Sequence, residues 1–233
     1  MGPGTNRNSQ PSSEAGVLSI EGQLIVDAAA KAPPLYQLSW DVTAIPQKGS
    51  SAVFQKWKLG DLFYLAHPAD APYRSDRPPY YITSISDESL GNISLDVSKS
   101  RWQKPDIGVF LHANRTASDN PLFHESPTLL FKAAAKWMDS RYTWTDSNGR
   151  PLAHEEERNG RRCLVFMCDM DGNLRDALVA TWCLRLWHDT AESRTAKRDA
   201  LERMTPPNGS QGYGNTKMPM RVGALGGLGG AGA

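Results

Sequence analysis

A short basic stretch is the clearest candidate for chemistry in this sequence. Lys99 and Arg101 are two residues apart, and Lys104 follows them. If residues 97–103 continue as a strand, side-chain alternation puts Lys99, Arg101 and Gln103 on one face. Two cations at this spacing can clamp a phosphate group, the arginine through a bidentate fork and the lysine as a point charge. The alternative is a charged strand edge that deters aggregation.

No enzyme signature accompanies this basic stretch. The chain has no HExxH pair, no GxSxG elbow and no phosphate-binding P-loop. Its five histidines are separated along the sequence, at His67, His112, His124, His154 and His188. We therefore predict that the protein is not an enzyme and requires neither a metal nor another cofactor.

Two acidic groups resemble ligand sites without completing them. The first is the triplet Asp169, Asp171 and Asn173. It begins like a calcium loop, but Leu174 replaces the required glycine and Ala180 occupies the position of the bidentate glutamate. We expect a polar turn before a helix. The second group is the run of three glutamates at residues 155–157, next to Asn159 and Gly160, which we expect to be a solvated hairpin end.

The charge balance limits which partners the protein can attract, and the cysteine content indicates its cellular compartment. Lys plus Arg is 26 and Asp plus Glu is 25 in 233 residues, so the whole chain has no general attraction to nucleic acid or to an anionic membrane. The three cysteines cannot all pair, and we interpret them as small buried side chains in a reducing compartment. No secretory signal is recognisable at the N-terminus. The cytoplasm is the expected location, with the nucleus or a peripheral membrane as alternatives.

The longest apolar run is the element around which the rest of the domain is expected to pack. Residues 176–188, DALVATWCLRLWH, are apolar nearly all round a helical wheel, with Thr181 and Arg185 as the interruptions. A membrane span needs about 20 such residues, so we predict a helix enclosed by the rest of the domain. We expect Asn173 as its N-cap and Asp176 in its first turn. Trp182 and Trp187 should belong to the core.

Short strands are predicted before this helix. Alternating or β-rich segments occur at about ten-residue intervals, separated by Gly, Pro, Asn and Asp, which is typical of an antiparallel sandwich or barrel. The segments are 35–42, 53–57, 62–66, 80–85, 92–97, 109–111, 128–131, 141–144 and 163–167. Residues 146–149 and the pair Asn159-Gly160 are predicted hairpin turns, since Asn-Gly readily adopts positive φ.

Polar segments flank the predicted domain. Residues 1–32 are expected to be a disordered tail, except that residues 17–30 are apolar enough to dock on the domain or to bind a partner. Residues 188–204 are helical by propensity but polar, and either continue the buried helix into water or form a second helix after a bend. The glycine-rich residues 205–233 are expected to be disordered.

A family resemblance adds to this pattern. The stretches PPLYQLSWDVT, LFYLAHPADAPYR, PPYYITSIS, GNISLDVSKSRWQK and DALVATWCLRLWHDTAESR resemble an uncharacterised family of filamentous-fungal proteins. That family in turn resembles the tubby C-terminal/LURP-one superfamily. The resemblance implies a mainly β (α+β) fold, in which a closed antiparallel β-barrel at residues 33–204 surrounds one hydrophobic C-terminal helix. It also implies that Lys99 and Arg101 contribute to a phosphoinositide headgroup site.

Two functional hypotheses follow. The first is a non-enzymatic binding domain that recognises a phosphoinositide or another anionic headgroup at Lys99, Arg101 and Lys104. The second is a protein-interaction module that uses the polar helix 188–204 or the segment 17–30. Neither hypothesis involves nucleic acid.

Overall fold

Twelve antiparallel strands close into a barrel around a buried helix. The computed structural model describes residues 16–29, 32–45, 50–68, 77–85, 89–98, 104–135 and 141–204. Within these residues, the strands are β1 Val17–Glu21, β2 Leu24–Asp27, β3 Tyr36–Leu38, β4 Ser51–Lys56, β5 Gly60–Ala66, β6 Tyr80–Ser84, β7 Gly91–Val97, β8 Ile107–Ala113, β9 Thr128–Ala135, β10 Tyr142–Asp146, β11 Pro151–Arg158 and β12 Arg161–Phe166. The helices are α1 Gly172–Ala191 and α2 Arg194–Met204.

The strand order is that of a simple meander. Every strand pairs with its neighbours in sequence, and β1 pairs with β12 to complete the barrel. Consecutive antiparallel strands therefore alternate in direction between the two barrel ends. This confirms the predicted class, a mainly β protein whose barrel is closed by antiparallel pairing. Closure leaves no unpaired edge among the barrel strands.

The barrel starts earlier than the sequence indicates. Residues 17–27, which we placed in an N-terminal tail ahead of a domain starting at residue 33, form β1 and β2. Leu18 and Ile25 are fully buried, and β2 also pairs with β3. The segment is therefore part of the barrel wall. Residues 1–15 of the predicted N-terminal tail and all of the predicted tail 205–233 lie outside the described residues.

Helix α1 supplies the core of the barrel. Ten of its side chains have no solvent exposure: Ala177, Leu178, Val179, Ala180, Thr181, Trp182, Cys183, Leu184, Leu186 and Trp187. Fully burying one large apolar side chain contributes about 1.5–3 kcal/mol, so this helix is a major source of stability. Both predicted core tryptophans are confirmed. In the part of the chain that the structure describes, no helix is long and apolar enough to cross a membrane.

The helix boundaries differ from the prediction by a few residues. The N-cap is Asp171, whose carboxylate accepts a hydrogen bond from the backbone N–H of Asn173 at 3.0 Å, so the predicted cap at Asn173 is wrong. The reason is that Gly172 and Asn173 already have helical geometry. The polar segment after α1 forms a separate helix, α2, because the helical conformation is interrupted at Glu192 and Ser193.

The connection from β8 to β9 lies against the outside of the barrel. We call residues 114–127 the strap. Asn92, on the outer face of β7, donates from Nδ2 to the backbone oxygens of Thr116 at 3.0 Å and Leu122 at 2.8 Å. Phe123 packs edge-on against the rings of Tyr81 and His112. These contacts bury polar groups that would otherwise face water.

Candidate functional site

Of the three predicted site residues, only Lys104 can be placed. Lys99 and Arg101 lie between β7 and β8, outside the described residues. Lys104 is exposed, and its ammonium nitrogen lies 5.5 Å from the centroid of the Tyr142 ring. The described ends of the connection between β7 and β8 are held together, since Ser98 and Asp106 exchange backbone and side-chain hydrogen bonds of 2.9 and 2.8 Å.

Lys104 borders a cleft of about 190 Å³ at the barrel end where α1 finishes. We call it the charged cleft. Its lining residues are all ionisable: Lys104, Arg141, Glu155, Glu156, Glu157, Arg162, Arg185 and Asp189. The basic side chains come from four separate places in the chain, namely the residues before β8 and before β10, strand β12 and helix α1. The fold thus assembles a cluster that no local sequence motif contains.

The floor of the charged cleft is a buried ion-pair network. Arg185, only 2% exposed, donates to Glu155 and, at 2.7 Å, to Asp189. Its guanidinium carbon lies 4.7 Å from the centroid of the Tyr142 ring. Trp144 donates from its indole nitrogen to the other oxygen of Glu155 at 3.0 Å. The carboxylates of Glu155 and Asp189 therefore both form ion pairs with Arg185.

Burial affects the acid groups of this network differently. Burial raises the pKa of Glu155, and this effect exceeds the lowering by Arg185 and by the Trp144 hydrogen bond. Burial also opposes ionisation of Asp189, but the hydrogen bond from His188 and the charge of Arg185 outweigh it and lower the pKa of Asp189. Burial raises the pKa of Tyr142 to about 12, so this phenol stays neutral beneath Arg185.

The prediction for the glutamate run at residues 155–157 is wrong in part. Glu155 is buried, at 8% exposure, whereas Glu157 is exposed. The three residues belong to β11, where side chains alternate between the barrel interior and its outer face. Alternation directs Glu155 inward to Arg185, and Glu156 pairs with Arg158.

Among the described residues, Arg115, Arg161 and Arg162 do not form one basic patch. Arg162 lines the charged cleft with Lys104, whereas its neighbour Arg161 pairs with Glu21 in a separate groove. The two arginines separate because successive residues of a strand face opposite sides. Arg115 lies in the strap, where its guanidinium is 3.9 Å from a carboxylate oxygen of Asp119.

The structure brings histidines together that are distant in sequence. The rings of His67 and His188 both contact Tyr80, with centroid distances of 4.1 and 4.9 Å. The rings of His112 and His124 are 6.1 Å apart. Their separation along the chain gave no sign that the histidines come together in these two places. Among the described residues, however, no group of three His, Cys, Asp or Glu side chains is arranged to hold a metal ion.

One histidine contacts a serine, but its geometry does not activate that serine. Nε2 of His112 lies 2.9 Å from Oγ of Ser94, and both residues are buried. Nδ1 of His112 accepts from the backbone N–H of His124 at 2.8 Å. Neutral His112 must then carry its proton on Nε2, so Ser94 accepts a hydrogen bond instead of losing a proton to a base. The pair fastens the strap to the barrel.

The cysteines are unpaired, as predicted. All three are free, with Cys163 and Cys183 buried and Cys168 partly buried. Burial raises the pKa of the Cys163 and Cys183 thiols. They are therefore poor nucleophiles, and their contribution is packing.

The opposite barrel end, where α1 begins, has a second cleft of about 290 Å³. Here Asp176 of the helix accepts a hydrogen bond of 2.6 Å from the hydroxyl of Tyr36 and pairs with Lys56 at 2.8 Å. Burial and the bond to Asp176 raise the pKa of Tyr36. Apolar side chains of the β4–β5 hairpin form one wall of this cleft, including Leu59 and Phe63.

Comparison with known proteins adds one distant structural likeness. No protein-family model matches the chain, and no curated protein matches it. An X-ray structure of a protein from Arabidopsis thaliana is similar, with 12% sequence identity and a TM-score of 0.41. The similarity covers 73% of this chain and 88% of that chain.

Proposed function

We propose that the protein is a non-enzymatic binding domain that takes a phosphate-bearing anion at the charged cleft. The observation that carries this proposal is the convergence of Lys104, Arg141 and Arg162 on one cleft of about 190 Å³. Arginine and lysine in combination suit phosphate oxygens, because the guanidinium binds two oxygens in parallel and the ammonium adds a mobile charge. Sites for drug-sized ligands occupy about 300–1,000 Å³, so this cleft suits a phosphate group or part of a headgroup.

The acidic side chains of the cleft are consistent with an anion site because most of them have partners. Glu155 and Asp189 bind Arg185, and Glu156 binds Arg158, which lies outside the lining. Glu157 is the exposed carboxylate of the lining residues. Lys99 and Arg101 precede Lys104 by five and three residues, and their proximity along the chain supports a shared site.

We further propose that the domain is a tubby C-terminal/LURP-one-like barrel, related to the fungal proteins that it resembles in sequence. The element order supports this, since an antiparallel barrel followed by one enclosed helix is the architecture that the resemblance implies. The proposal includes no catalytic activity and no nucleic-acid partner. It places the protein in the cytoplasm, with the nucleus or a membrane surface as further locations.

The test compares two arginines on one strand. Lys104→Gln combined with Arg162→Gln should weaken anion binding at least tenfold, because two charge-assisted contacts are lost. Arg161→Gln should leave binding unchanged, since this neighbour faces another groove. Lys99→Glu with Arg101→Glu tests whether the preceding segment shares the ligand. Unchanged thermal unfolding transitions would show that each variant is folded.

Two ligand forms distinguish a lipid headgroup from a free phosphate compound. Calorimetric titration with inositol hexakisphosphate measures the free form, and sedimentation with phosphatidylinositol bisphosphate vesicles measures the lipid form. Binding should weaken as salt rises, because charges are screened over about 8 Å at physiological ionic strength. Absence of binding to both forms at low salt, or unchanged binding of inositol hexakisphosphate by the Lys104/Arg162 variant, would overturn the proposal.

A protein-interaction role remains the second candidate. This role would use α2, which follows the barrel as a separate helix and on which Leu201 is 64% exposed. The other candidate segment, residues 17–30, is less suited, because β1 and β2 are paired on both sides within the barrel. If α2 carries the function, partner binding should be insensitive to the cleft substitutions.

A further inference from the structure

The turn between β4 and β5 presents apolar side chains to solvent. Leu59 is 76% exposed and Trp57 is 39% exposed, with Lys58 between them. Leu35, at the start of the neighbouring strand, is 37% exposed. We call Leu35, Trp57 and Leu59 the apolar tip. Large apolar residues are seldom so exposed together in a turn, and a cluster of them indicates an interaction surface.

The backbone holds this tip in a defined shape. The N–H of Trp57 donates to the oxygen of Leu35 at 2.9 Å, and the N–H of Leu59 donates to the oxygen of Lys56 at 3.0 Å. Lys58 has a φ of 65° and Gly60 a φ of 103°, values that fix a tight turn. The backbone of the turn is therefore ordered before any partner arrives, so little backbone entropy is lost on binding.

Shape and chemistry favour a bilayer as the partner. The tip is an exposed turn, and Lys58 lies between its tryptophan and one of its leucines. Tryptophan prefers the boundary between lipid headgroups and acyl chains, and a lysine beside it can keep its ammonium among lipid phosphates. Of the two nearby carboxylates, Asp176 is neutralised by Lys56, whereas Asp61 keeps its charge and accepts a hydrogen bond from the amide of Gln55.

We propose that the apolar tip inserts into the interfacial layer of a lipid bilayer. This proposal does not depend on the charged cleft, because the two lie at opposite barrel ends. Lys56, next to the tip, contacts Asp176, whereas the cleft contains Arg185, nine residues further along α1. Nine helical residues span about 13 Å. The apolar tip and the charged cleft are therefore separate surfaces.

The test is vesicle sedimentation with the full chain. Wild-type protein should bind phosphatidylcholine vesicles, and more strongly when phosphatidylserine is included, because Lys58 adds an attractive charge. Trp57→Ser combined with Leu59→Ser should reduce binding at least tenfold. The matched control is Tyr64→Ser, which removes a similarly exposed aromatic side chain, 39% exposed, from the side of β5. The control should bind like wild type.

A second measurement locates the tip in the bilayer. Brominated phosphatidylcholine should quench the tryptophan fluorescence of the wild type, and Trp57→Phe should remove most of that quenching while vesicle binding persists. Either no binding of the wild type to any vesicle, or equal binding by the Trp57/Leu59 variant, would overturn the proposal. Tip-dependent binding to a protein, without vesicle binding, would also overturn it.

Failure of this proposal and failure of the proposed cleft function are distinguishable. The tip variant should still bind inositol hexakisphosphate, whereas the Lys104/Arg162 variant should still bind vesicles that lack phosphoinositides. Loss of both activities in one variant would instead indicate a folding defect, which the thermal transition detects.

Discussion

The two ends of α1 are joined to the barrel by ion pairs of opposite polarity. Where the helix begins, it supplies the carboxylate of Asp176 and the barrel supplies Lys56. Near its other end, the helix supplies the guanidinium of Arg185 and the barrel supplies Glu155. The side chain of Lys56 is 32% exposed, whereas that of Arg185 is 3% exposed. One link is thus partly hydrated and the other is almost dry.

This difference indicates what the two links do. A helix that is apolar on all sides has no stripe to fix its rotation, because hydrophobic burial is non-directional. Hydrogen-bonded ion pairs are directional, so a pair at each end determines the rotation and depth of α1 within the barrel. A dry pair often contributes little net stability compared with apolar replacements, although breaking it is costly. We infer that the network around Arg185 specifies position more than it adds stability.

The largest effect is expected at the dry end. Arg185→Leu should lower the free energy of unfolding by about 3–5 kcal/mol, because it leaves the carboxylates of Glu155 and Asp189 without their partner. Urea denaturation would measure the change. A loss below about 1 kcal/mol would contradict the idea that this end is dry.

A paired substitution separates the lost partner from the lost volume. Arg185→Met combined with Glu155→Gln keeps the size of both side chains and still lets residue 155 accept from Trp144. This double variant should be more stable than Arg185→Leu alone, since it leaves fewer uncompensated charges.

A smaller effect is expected at the hydrated end. Lys56→Met should cost about 1–2 kcal/mol, between the values for exposed and buried pairs. Asp176 keeps the hydrogen bond from Tyr36 and gains water through the space that Lys56 leaves. If denaturation shows equal losses for Lys56→Met and Arg185→Leu, then burial does not distinguish the two ends.

The smallest effect concerns the barrel wall between the ends. Burial, with a smaller contribution from His124, lowers the pKa of His112 below its ordinary value of 6.5. The unfolded chain therefore takes up this proton at higher pH than the folded protein, so stability should fall as pH drops below about 6.5. Above that pH, His112 is neutral in both states and contributes no slope.

His112→Gln provides the comparison for this pH dependence. The variant lacks the titrating ring, so its stability should decline less steeply between pH 6.5 and the acid range. Urea midpoints at several pH values would measure both slopes. Identical slopes would mean that other groups, not His112, cause the acid sensitivity of the strap.

The regular parts of the fold are predictable because their patterns are local. The run at residues 176–188 shows its all-round apolar character directly, and Asn159-Gly160 forms the expected hairpin, with positive φ at both residues. The structure of residues 17–27 is harder to predict, since a short apolar stretch after a polar tail fits a docking segment as well as a hairpin. Their pairing with β12 depends on residues more than 140 positions away, which no local pattern encodes.

Of the three predicted site residues, Lys104 is the one that the structure places at the charged cleft. Arg141 and Arg162 join it because loops and strands distant in sequence meet at one barrel end. A run of three glutamates predicts a solvated Glu155, and an apolar helix gives Arg185 no evident partner within the sequence. Each polar residue becomes explicable only with its partner, and the partner comes from tertiary structure. The same holds for the Lys56–Asp176 pair.

The position of α1 in the chain has a consequence for biosynthesis. All twelve described strands precede the helix that fills their interior, so a nascent chain exposes their apolar faces before the core exists. The barrel also cannot close until β12 has been synthesised, because β1 pairs with it. Such delayed long-range contacts slow folding and leave strands open to aggregation. The native core can therefore form only after α1 has emerged from the ribosome.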